Sequence, residues 1–442
     1  MTESSPDQDR DLLARLETTS TEKPVWLRVG ALIDGESRQP RHDAHLVYDV
    51  AKIRYVGTSE PPAATLRGGQ TEPDAHLPDA TALPGLTDAH AHLFLEGSEL
   101  AIDRRSAYLA QDRSTLLDLA RPRFERLVAL GVMAVRDAGD RDGVGLALMT
   151  EYRDRGAERE LTPYLDSPGA AIHRQGRYGK FMGEALEEHG SHEACIQNRV
   201  DAGAYRIKLI PTGIINFKAG TVTAKPQMSV EDVAALVSAA REIGKQTFAH
   251  ASGSDGIENA IEGGVDSVEH GFFVNDGQLA RMRDRNIAWV PTFAPVREQV
   301  DHADIMGWDA TVVGSLERIL ENHADSLARA VDMGVQVIAG SDAGSYGVAH
   351  GHGLLDELMI MEAAGVATID VIRSATGVPA GRLEFAESFG LLESGRKARF
   401  LLTRHDVLST VAKLKRPKIC VFDGRSVAGP ELDGPESQKQ GL

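Results

Sequence analysis

The sequence predicts an α/β protein: a (β/α)8 TIM-type barrel with a small β-sandwich domain formed by the N- and C-terminal segments. Three observations support this prediction. Short apolar runs alternate with amphipathic stretches in the middle of the chain, there are eight such runs, and both ends of the chain carry short runs typical of β-strands. The length of 442 residues is sufficient for a large barrel with an appended domain.

The N-terminal part divides into two segments. Residues 1–22 are polar and charged, and they are expected to form a disordered tail. Residues 23–82 contain the short runs Val25–Val29, Ala44–Tyr48 and Lys52–Val56, which are separated by turn residues. These runs predict the first part of the β-sandwich.

The central part, residues 83–380, is expected to form the barrel. The apolar runs that each predict one strand are Ala82–Leu86, Val132–Arg136, Leu161–Leu165, Tyr205–Ile210, Gln246–His250, Val265–His270, Ile287–Val290 and Val335–Ala339. Helical patterns lie between them. In one of these, Ser229 and Asp232 predict a capping box with Ser229 as the N-cap.

The C-terminal part completes the predicted sandwich. Residues 381–430 carry the runs Arg399–Thr403 and Lys418–Phe422, and an Asp-Gly turn typical of hairpins follows the second run. Residues 431–442 are expected to form a flexible tail. The simplest arrangement joins the first and last segments in one β-domain, with the barrel inserted between them.

The composition excludes several classes of protein. With 48 basic and 65 acidic residues the net charge is −17, which disfavours binding to nucleic acid or anionic lipid. The two cysteines exclude a disulfide framework and a Cys-based zinc site. No apolar run suits a membrane span, and residues 1–22 lack a signal-peptide core. We therefore expect a cytoplasmic protein with a small-molecule partner. The sequence leaves open whether the protein forms a homo-oligomer.

Candidate metal ligands lie at the ends of several predicted strands. His90 and His92 form a His-x-His pair just after the first run, and alternate residues of a strand point to the same side. The fifth and sixth runs end in His250 and His270, and Asp342 follows the eighth. Because the C-terminal strand ends of a barrel meet at one mouth, these side chains are expected to surround one site.

Lys208 stands inside the fourth apolar run, between Ile207 and Leu209. Burial in such surroundings lowers the pKa of a lysine and exposes a neutral, nucleophilic amine. That amine can take up carbon dioxide to form a carbamate, whose two oxygens can bridge two metal ions. A lysine that reaches solvent or pairs with an acid is the alternative interpretation.

These motifs resemble those of the amidohydrolase superfamily and, within it, the imidazolonepropionase-like, prolidase-like group of metal-dependent hydrolases. The matching segments are Leu83–His92, Gly131–Asp137, Ile207–Leu209, Ala249–Gly253, Val265–Gly271 and Gly340–Gly344. The resemblance spans most of the chain, because the segments that flank the barrel also resemble the ends of the family's β-sandwich.

The resemblance implies a role for each candidate ligand. His90 and His92 would bind the more buried of two divalent ions together with Asp342, and His250 and His270 would bind the second ion. Asp342 would also orient a hydroxide shared by the ions, accept its proton and pass it to the leaving nitrogen. The ions are expected to be Zn²⁺, with Mn²⁺, Co²⁺ or Fe²⁺ as alternatives.

The implied function is that of a binuclear metal-dependent hydrolase, an amidohydrolase in which N6-carboxylysine at Lys208 bridges the two ions. Its substrate would have an amide-type C–N bond, as in a dipeptide, an N-acyl amino acid, a carbamate or a urea. One alternative is a mononuclear cyclic-amide hydrolase or deaminase, which would leave Lys208 without a role. Another is a phosphotriester hydrolase. A non-catalytic scaffold is disfavoured, since such relatives tend to lose ligands and this chain keeps all six.

Two loops supply candidate substrate-binding residues. One follows the third run and is rich in basic side chains that suit a substrate carboxylate, and the other is a Gly-rich loop after Asp342. The candidates are His173, Arg174, Arg177, Tyr178, His350 and His352. A solvated loop without contact to substrate is the alternative for the first group.

Overall fold

A computed structural model describes residues 6–155 and 161–432 of the chain, with side chains from residue 10 onward. The strands are β1 (Val25–Leu32), β2 (Arg41–Tyr48), β3 (Ile53–Gly57), β4 (Ala75–Pro84), β5 (Leu86–Ala91), β6 (Val132–Asp137), β7 (Tyr164–Asp166), β8 (Ala171–His173), β9 (Gly183–Ala185), β10 (Ile207–Leu209), β11 (Thr247–Ala251), β12 (Ser267–His270), β13 (Ala288–Val290), β14 (Arg399–Thr403), β15 (Lys418–Phe422) and β16 (Arg425–Gly429).

The α-helices are α1 (Pro6–Leu16), α2 (Ile102–Leu109), α3 (Arg113–Glu125), α4 (Val144–Asp154), α5 (His192–Asp201), α6 (Val230–Glu242), α7 (Ser254–Gly263), α8 (Asp276–Asp284), α9 (Ala294–Asp301), α10 (Ala303–Met306), α11 (Ala310–Met333), α12 (His352–Ala363), α13 (Thr368–Ser374) and α14 (Gly377–Arg382). Single 3₁₀ turns occur at Ala63–Thr65, Leu186–Glu188 and Val411–Lys415. The chain thus has the α/β fold that its alternating pattern predicts.

Both ends of the described chain contribute to one seven-stranded sheet, in the order β16-β15-β14-β4-β1-β2-β3. The two halves are joined where β14 pairs antiparallel with β4, from Phe400 opposite Pro84 to Thr403 opposite Thr81. Residues from both halves, including Leu27, Leu46 and Phe400, are buried in a shared apolar cluster on this sheet. The two terminal segments therefore meet in one sheet.

The prediction of a disordered tail at residues 1–22 is wrong for half of its length, because α1 occupies the 11 residues Pro6–Leu16. Leu12 and Leu16 are buried in the apolar cluster of the seven-stranded sheet, and the Tyr48 hydroxyl donates to the carbonyl of Leu16 at 2.6 Å. Two leucines four residues apart form one apolar face, which the surrounding charged residues obscured in the sequence. Residues 1–5, and the predicted tail from residue 433 onward, lie outside the described residues.

The middle of the chain forms two parallel sheets, ordered β5-β6-β7 and β13-β12-β11-β10-β8-β9. β7 and β8 are separated by residues 167–170, where Gly169 has a φ of 61°, and β7 pairs with β6 while β8 pairs with β10. Between them, the amide of Tyr205 donates to the carbonyl of Ser167 at 2.9 Å, so that backbone bonds continue from one sheet to the other. Every residue of β5, β6, β10, β11 and β12 is buried, as in sheets covered on both faces.

Residues 336–343 lie between the two outer strands β13 and β5. The amide of Trp289 donates to the carbonyl of Gln336 at 2.9 Å, and the amide of Ala89 donates to the carbonyl of Ala339 at 3.1 Å. At Gly340 a Cβ atom would lie only 2.9 Å from the Cβ of His90, so a glycine permits this close approach. The segment carries the backbone toward Asp342, whose φ of 54° ends the extended conformation.

Most of the predicted barrel strands differ from the structure by a few residues at their ends, but two differ in kind. The first run, Ala82–Leu86, divides between β4, which ends at Pro84, and β5, which begins at Leu86. His90 therefore lies within β5 and not after the strand. The eighth run, Val335–Ala339, forms an isolated parallel bridge between Val337 and Trp289, because the chain turns soon after it.

The helices cover the outer faces of the parallel sheets. In α6 the buried residues Val233, Leu236, Val237 and Ala240 recur with helical spacing. They pack into the large apolar cluster that also contains buried residues of the parallel strands. The predicted capping box at the start of α6 is confirmed, since the side chains of Ser229 and Asp232 accept each other's backbone N–H groups. Among the described residues, no helix is long and apolar enough to cross a membrane.

Candidate functional site

The C-terminal end of β5 and residues 336–343 bring His90, His92 and Asp342 together. The two imidazole rings lie 5.6 Å apart between centroids, and their Nε2 atoms lie 3.7 and 3.5 Å from Asp342 Oδ1. All three side chains are buried. The backbone fixes this geometry, because the amide of Asp342 donates to the carbonyl of His90 at 2.6 Å.

His250 on β11 and His270 on β12 lie next to this group. Their ring centroids are 4.4 Å apart, and the ring of His270 is 4.9 Å from that of His90. His90, His270 and Asp342 each offer a ligand atom within 4.8 Å of the other two. The structure thus brings the four predicted histidines and the predicted aspartate into one cluster at the ends of neighbouring strands.

Hydrogen bonds fix the orientation of each imidazole. In three rings the Nδ1 atom lies within hydrogen-bonding distance of an oxygen. Nδ1 of His90 is 2.6 Å from Glu269 Oε2, Nδ1 of His92 is 3.0 Å from the carbonyl oxygen of Gly139, and Nδ1 of His270 is 2.7 Å from Thr292 Oγ1. A ring that donates through Nδ1 presents the lone pair of Nε2 to the centre of the cluster. The Nε2 atoms of His90 and His270 are buried and have no hydrogen-bond partner among the described residues. In His250 it is Nε2 that lies 3.3 Å from the carbonyl of Gly213, which leaves Nδ1 for a ligand.

Lys208 projects from β10 into the same cluster. The side chain is buried, its Nζ has no hydrogen-bond partner among the described residues, and Nζ lies 4.6 Å from the centroid of the Phe248 ring. Burial lowers the pKa of Lys208 to about 8, against the opposing effect of the Glu269 charge. An amine of this kind is partly neutral near physiological pH and can react with carbon dioxide.

Burial also sets the protonation of the other cluster residues in the metal-free protein. It lowers the pKa of both His92 and His250 to about 3, and the positive charge of Lys208 adds to the effect. It raises the pKa of Asp342 to about 7, although Lys208 opposes this shift. The imidazoles are therefore neutral at pH 7, the form in which histidine binds a metal ion.

A second layer of buried polar groups supports the cluster. Glu269 accepts hydrogen bonds from Arg136 at 2.7 Å, from the Ser267 hydroxyl at 2.5 Å and from His90. Asp88 accepts from the amide and the hydroxyl of Ser341 at 3.0 and 2.5 Å, which holds the segment before Asp342 against β5. These carboxylates fix the positions of His90 and Asp342 without themselves facing the centre.

A cavity of about 320 Å³ opens above the cluster. His92, His250, His270 and Asp342 line its base. Much of the wall is apolar and consists of Phe181, Met182, Ile214, Ile215, Phe217 and Phe272. The remaining wall carries polar groups, which include Arg105, Gln299, Ser345 and Tyr346. The cavity can therefore hold a small molecule with one large apolar part.

The loop after β8 holds three of the predicted substrate-binding residues, and Tyr178 among them lines the cavity, with its ring 5.4 Å from that of His250. Arg174 instead forms ion pairs with Glu187 at 2.7 Å and Asp232 at 2.8 Å. Arg177 donates to the carbonyl of residue 225 at 2.6 Å. Neither arginine is among the described residues that line the cavity, and their role in binding substrate stays a prediction.

The three predicted histidines outside the cluster are also absent from the described lining of the cavity. His173 is buried and its Nδ1 lies 2.8 Å from the carbonyl of Arg174. His350 Nε2 lies 3.1 Å from the carbonyl of His92, where it supports the backbone of a cluster residue. His352 is the first residue of α12.

Two arginines that contact the site were not predicted from the sequence as site residues. Arg136 was part of a matching segment, but its ion pair with Glu269 joins β6 to β12 and could not be read from either strand alone. Arg105 lies in the charged helix α2, where its pattern does not differ from that of a solvated side chain.

The parallel strands and the strand-end cluster of histidines and carboxylate define a metal-dependent hydrolase. Residues 81–427 match the amidohydrolase family, and the chain belongs to this family of hydrolases that act on C–N bonds. Ochratoxinase from Aspergillus niger is 24% identical over 447 residues, which cover 94% of this chain and 89% of that protein. An uncharacterized protein of Mycobacterium tuberculosis is 25% identical over 294 residues, or 66% of this chain and 72% of the relative.

Solved structures share the fold. A structure described as a Xaa-Pro dipeptidase with bound methionine in the active site has a TM-score of 0.76 and 24% identity, covering 92% of this chain and 100% of that chain. The structure of A. niger ochratoxinase has a TM-score of 0.75 and 19% identity, covering 92% of this chain and 96% of the other. At this identity the likeness establishes the α/β fold.

Proposed function

We propose that this chain is a binuclear metal-dependent hydrolase that cleaves an amide-type C–N bond in a small substrate with a large apolar group. The observation that carries the proposal is the buried cluster of candidate ligands at the base of a largely apolar cavity. Membership of the amidohydrolase family supports the reaction class, and the cavity supports the kind of substrate.

We also propose that the parallel strands and residues 336–343 close into a (β/α)8 barrel, with residues 23–82 and 381–430 as a separate β-domain. The backbone bonds that link β7 to β10, and residues 336–343 to both β13 and β5, support closure. In a closed barrel the side chains at the C-terminal strand ends would all face one mouth.

The donor set fits divalent ions. His90, His92 and Asp342 would hold one ion, and His250 and His270 would hold the other. The fit rests on neutral imidazoles whose Nε2 atoms, in His90 and His270, are buried without a protein partner. Nitrogen and carboxylate ligands of this kind suit Zn²⁺, and also Mn²⁺, Co²⁺ or Fe²⁺.

Lys208, as N6-carboxylysine, would bridge the two ions. The support is its buried, unpartnered Nζ and its lowered pKa, which together favour a neutral amine. A charged lysine in this position would oppose the binding of cations. Carboxylation, the identity of the metal and a cytoplasmic location stay predictions.

When bound, the two ions would supply a water of lowered pKa and would polarise the scissile carbonyl. Asp342 lies at the base of the cavity beside the imidazoles of His90 and His92. It would accept the proton of the attacking water and return it to the leaving nitrogen, as general base and then general acid. The apolar wall would exclude bulk water and hold the large group of the substrate.

The test combines metal analysis with a substrate panel. Protein purified without added metal is expected to contain close to two divalent ions per chain, and to hydrolyse N-acyl amino acids with an aromatic acyl group faster than short polar dipeptides. The panel also includes carbamates, ureas, cyclic amides and a phosphotriester. One ion per chain after saturation, with turnover of cyclic amides alone, would favour the mononuclear alternative. Turnover of the phosphotriester alone would favour the phosphotriester hydrolase.

A further inference from the structure

Arg105 is a half-buried cation that faces the cavity without a protein counter-ion. It lies on α2 and lines the cavity wall, and its guanidinium is held by the carbonyls of Glu96 at 2.7 Å and Gly344 at 2.6 Å. Among the described residues, no carboxylate lies within 4.0 Å of this guanidinium, whereas its neighbour Arg104 pairs with Glu99 at 2.9 Å. Burial lowers the pKa of Arg105, and the charges of Glu96 and Asp342 oppose this effect.

The group next to Arg105 is a hydroxyl that has no acceptor among the described residues. The ring of Tyr346 lies 5.9 Å from the guanidinium carbon, and its hydroxyl oxygen is buried without a hydrogen-bond partner among the described residues. Both residues line the cavity. A guanidinium beside a free phenol hydroxyl offers several N–H and O–H groups to an anion, and a planar carboxylate matches the guanidinium with two parallel bonds.

The position of this pair within the cavity indicates which half of the substrate it would contact. Arg105 and Tyr346 come from the chain after β5 and after Asp342, and the guanidinium of Arg105 donates to the carbonyl of Gly344, two residues after the carboxylate that would protonate the leaving nitrogen. The apolar residues Phe181, Ile214 and Phe217 come from the loops after β8 and β10. An anionic group on Arg105 would therefore belong to the leaving amine, and the apolar group would belong to the acyl half.

We propose that Arg105, assisted by Tyr346, determines specificity by binding the carboxylate of the departing amino acid in an N-acyl amino acid with an apolar acyl group. This inference rests on the proposed function. In the reaction the C–N bond breaks as the oxygen of water bonds to the acyl carbon, one proton of that water passes to the leaving nitrogen, and the second is released from the acid that forms. Arg105 takes no part in the proton transfer.

Binding is measured first, with a probe that the enzyme does not hydrolyse. N-(benzenesulfonyl)-L-phenylalanine and its methyl ester are titrated into the metal-loaded protein, since a sulfonamide resists hydrolysis. Wild-type protein is expected to bind the acid more tightly than the ester. Arg105→Met is expected to reduce this preference by about 10- to 100-fold, the range of a charge-assisted hydrogen bond, and to leave binding of the ester nearly unchanged.

Three further variants distinguish specificity from structure. Arg104→Met, on the same helix and outside the cavity lining, is the matched control and should keep the wild-type preference. Arg105→Lys should keep part of it, because the charge remains while the planar fork is lost. Arg174→Met tests the arginine that the sequence favoured. A merely structural role of Arg105 would weaken acid and ester alike and leave their ratio unchanged.

Turnover is measured second, with N-benzoyl-L-phenylalanine and its methyl ester. The ratio of kcat/KM for acid and ester should fall in Arg105→Met by the same factor as the binding preference. Equal binding of acid and ester by wild type, or a preference that survives Arg105→Met and disappears in Arg174→Met, would overturn the proposal. If no C–N substrate of the panel described above is cleaved but acid binding still depends on Arg105, the proposed function fails and the carboxylate site stands.

Discussion

Removing the charge of Glu269 should destabilise the protein and weaken the metal site, although Glu269 is not a ligand. Its side chain is fully buried and accepts hydrogen bonds from Arg136, Ser267 and His90. The change Glu269→Gln keeps the shape and removes the counter-ion of a guanidinium that is 1% exposed. Arg136 has no other carboxylate within 4.0 Å among the described residues, so the variant leaves it buried and unpaired.

The magnitude follows from this geometry. Two unit charges about 4 Å apart attract by ~4 kcal/mol at an effective dielectric constant of about 20. Breaking a buried pair by removal of one partner costs about 3–5 kcal/mol. Because glutamine can still accept one hydrogen bond, we expect the free energy of unfolding to fall by about 3 kcal/mol. Loss of the anchor on His90 Nδ1 should also weaken metal binding by about 10- to 100-fold, as is usual for partners of ligating histidines.

Denaturant unfolding of the metal-free protein measures the first effect, and competition with a chelator measures the second. The matched control is Glu393→Gln, whose partner Arg396 lies at 2.9 Å in a pair with side chains 64% and 35% exposed. It should cost less than about 1 kcal/mol. The double variant Arg136→Met/Glu269→Gln should recover part of the lost stability, because no unpaired charge remains. A Glu269→Gln protein as stable as the control variant would refute the reasoning.

Three further predictions concern the cluster and the core. Lys208→Ala should bind about one divalent ion instead of two by elemental analysis, with partial rescue by bicarbonate and a short-chain carboxylic acid; two ions with full turnover would contradict the bridging role. Asp342→Asn should lose at least about a hundredfold in kcat while it retains some metal, and near-normal turnover would reject its role in proton transfer. His323→Phe should reduce the loss of stability at acid pH. Burial lowers the pKa of His323 to about 4, so the unfolded chain takes up this proton at a higher pH than the folded chain does. The stability of the wild-type protein therefore falls as pH decreases from about 6.5 toward 4. By pH 5 the contribution of His323 to this loss of unfolding free energy is about 2 kcal/mol, which denaturant unfolding at pH 7 and pH 5 measures. A variant that loses as much stability as wild type between these pH values would contradict the prediction.

The sequence predicted the α/β fold and the cluster because both depend on local patterns. His90 and His92 are two residues apart in a strand, and His250 and His270 each end an apolar run, so strand geometry alone points them to one place. Asp342 could be found in the same way, although its strand is reduced to a single bridge. The apolar runs were informative because parallel strands buried on both faces have few other compositions.

The cavity wall could not be predicted in the same way, because it depends on which side chains of long loops face inward. The sequence favoured Arg174 for a substrate anion, but in the folded chain Glu187 and Asp232 compensate its charge. Arg105 has the same chemistry, but among the described residues its guanidinium meets the carbonyls of Glu96 and Gly344 and no carboxylate within 4.0 Å. Whether an arginine is compensated depends on residues far away in sequence, and only the tertiary structure supplies that information.

The buried charges around the cluster give a physical reason for a lysine at position 208. Asp342, Glu269 and Asp88 contribute three buried carboxyl groups, and Arg136 and Lys208 contribute two buried cations. Two divalent ions would add four positive charges at low dielectric, and a protonated lysine between them would oppose their binding. Conversion of the amine to the proposed carbamate changes its charge from +1 to −1 and so lowers the net charge at that point by two. The proposed carbamate therefore places a negative charge where the two ions would otherwise meet a positive one.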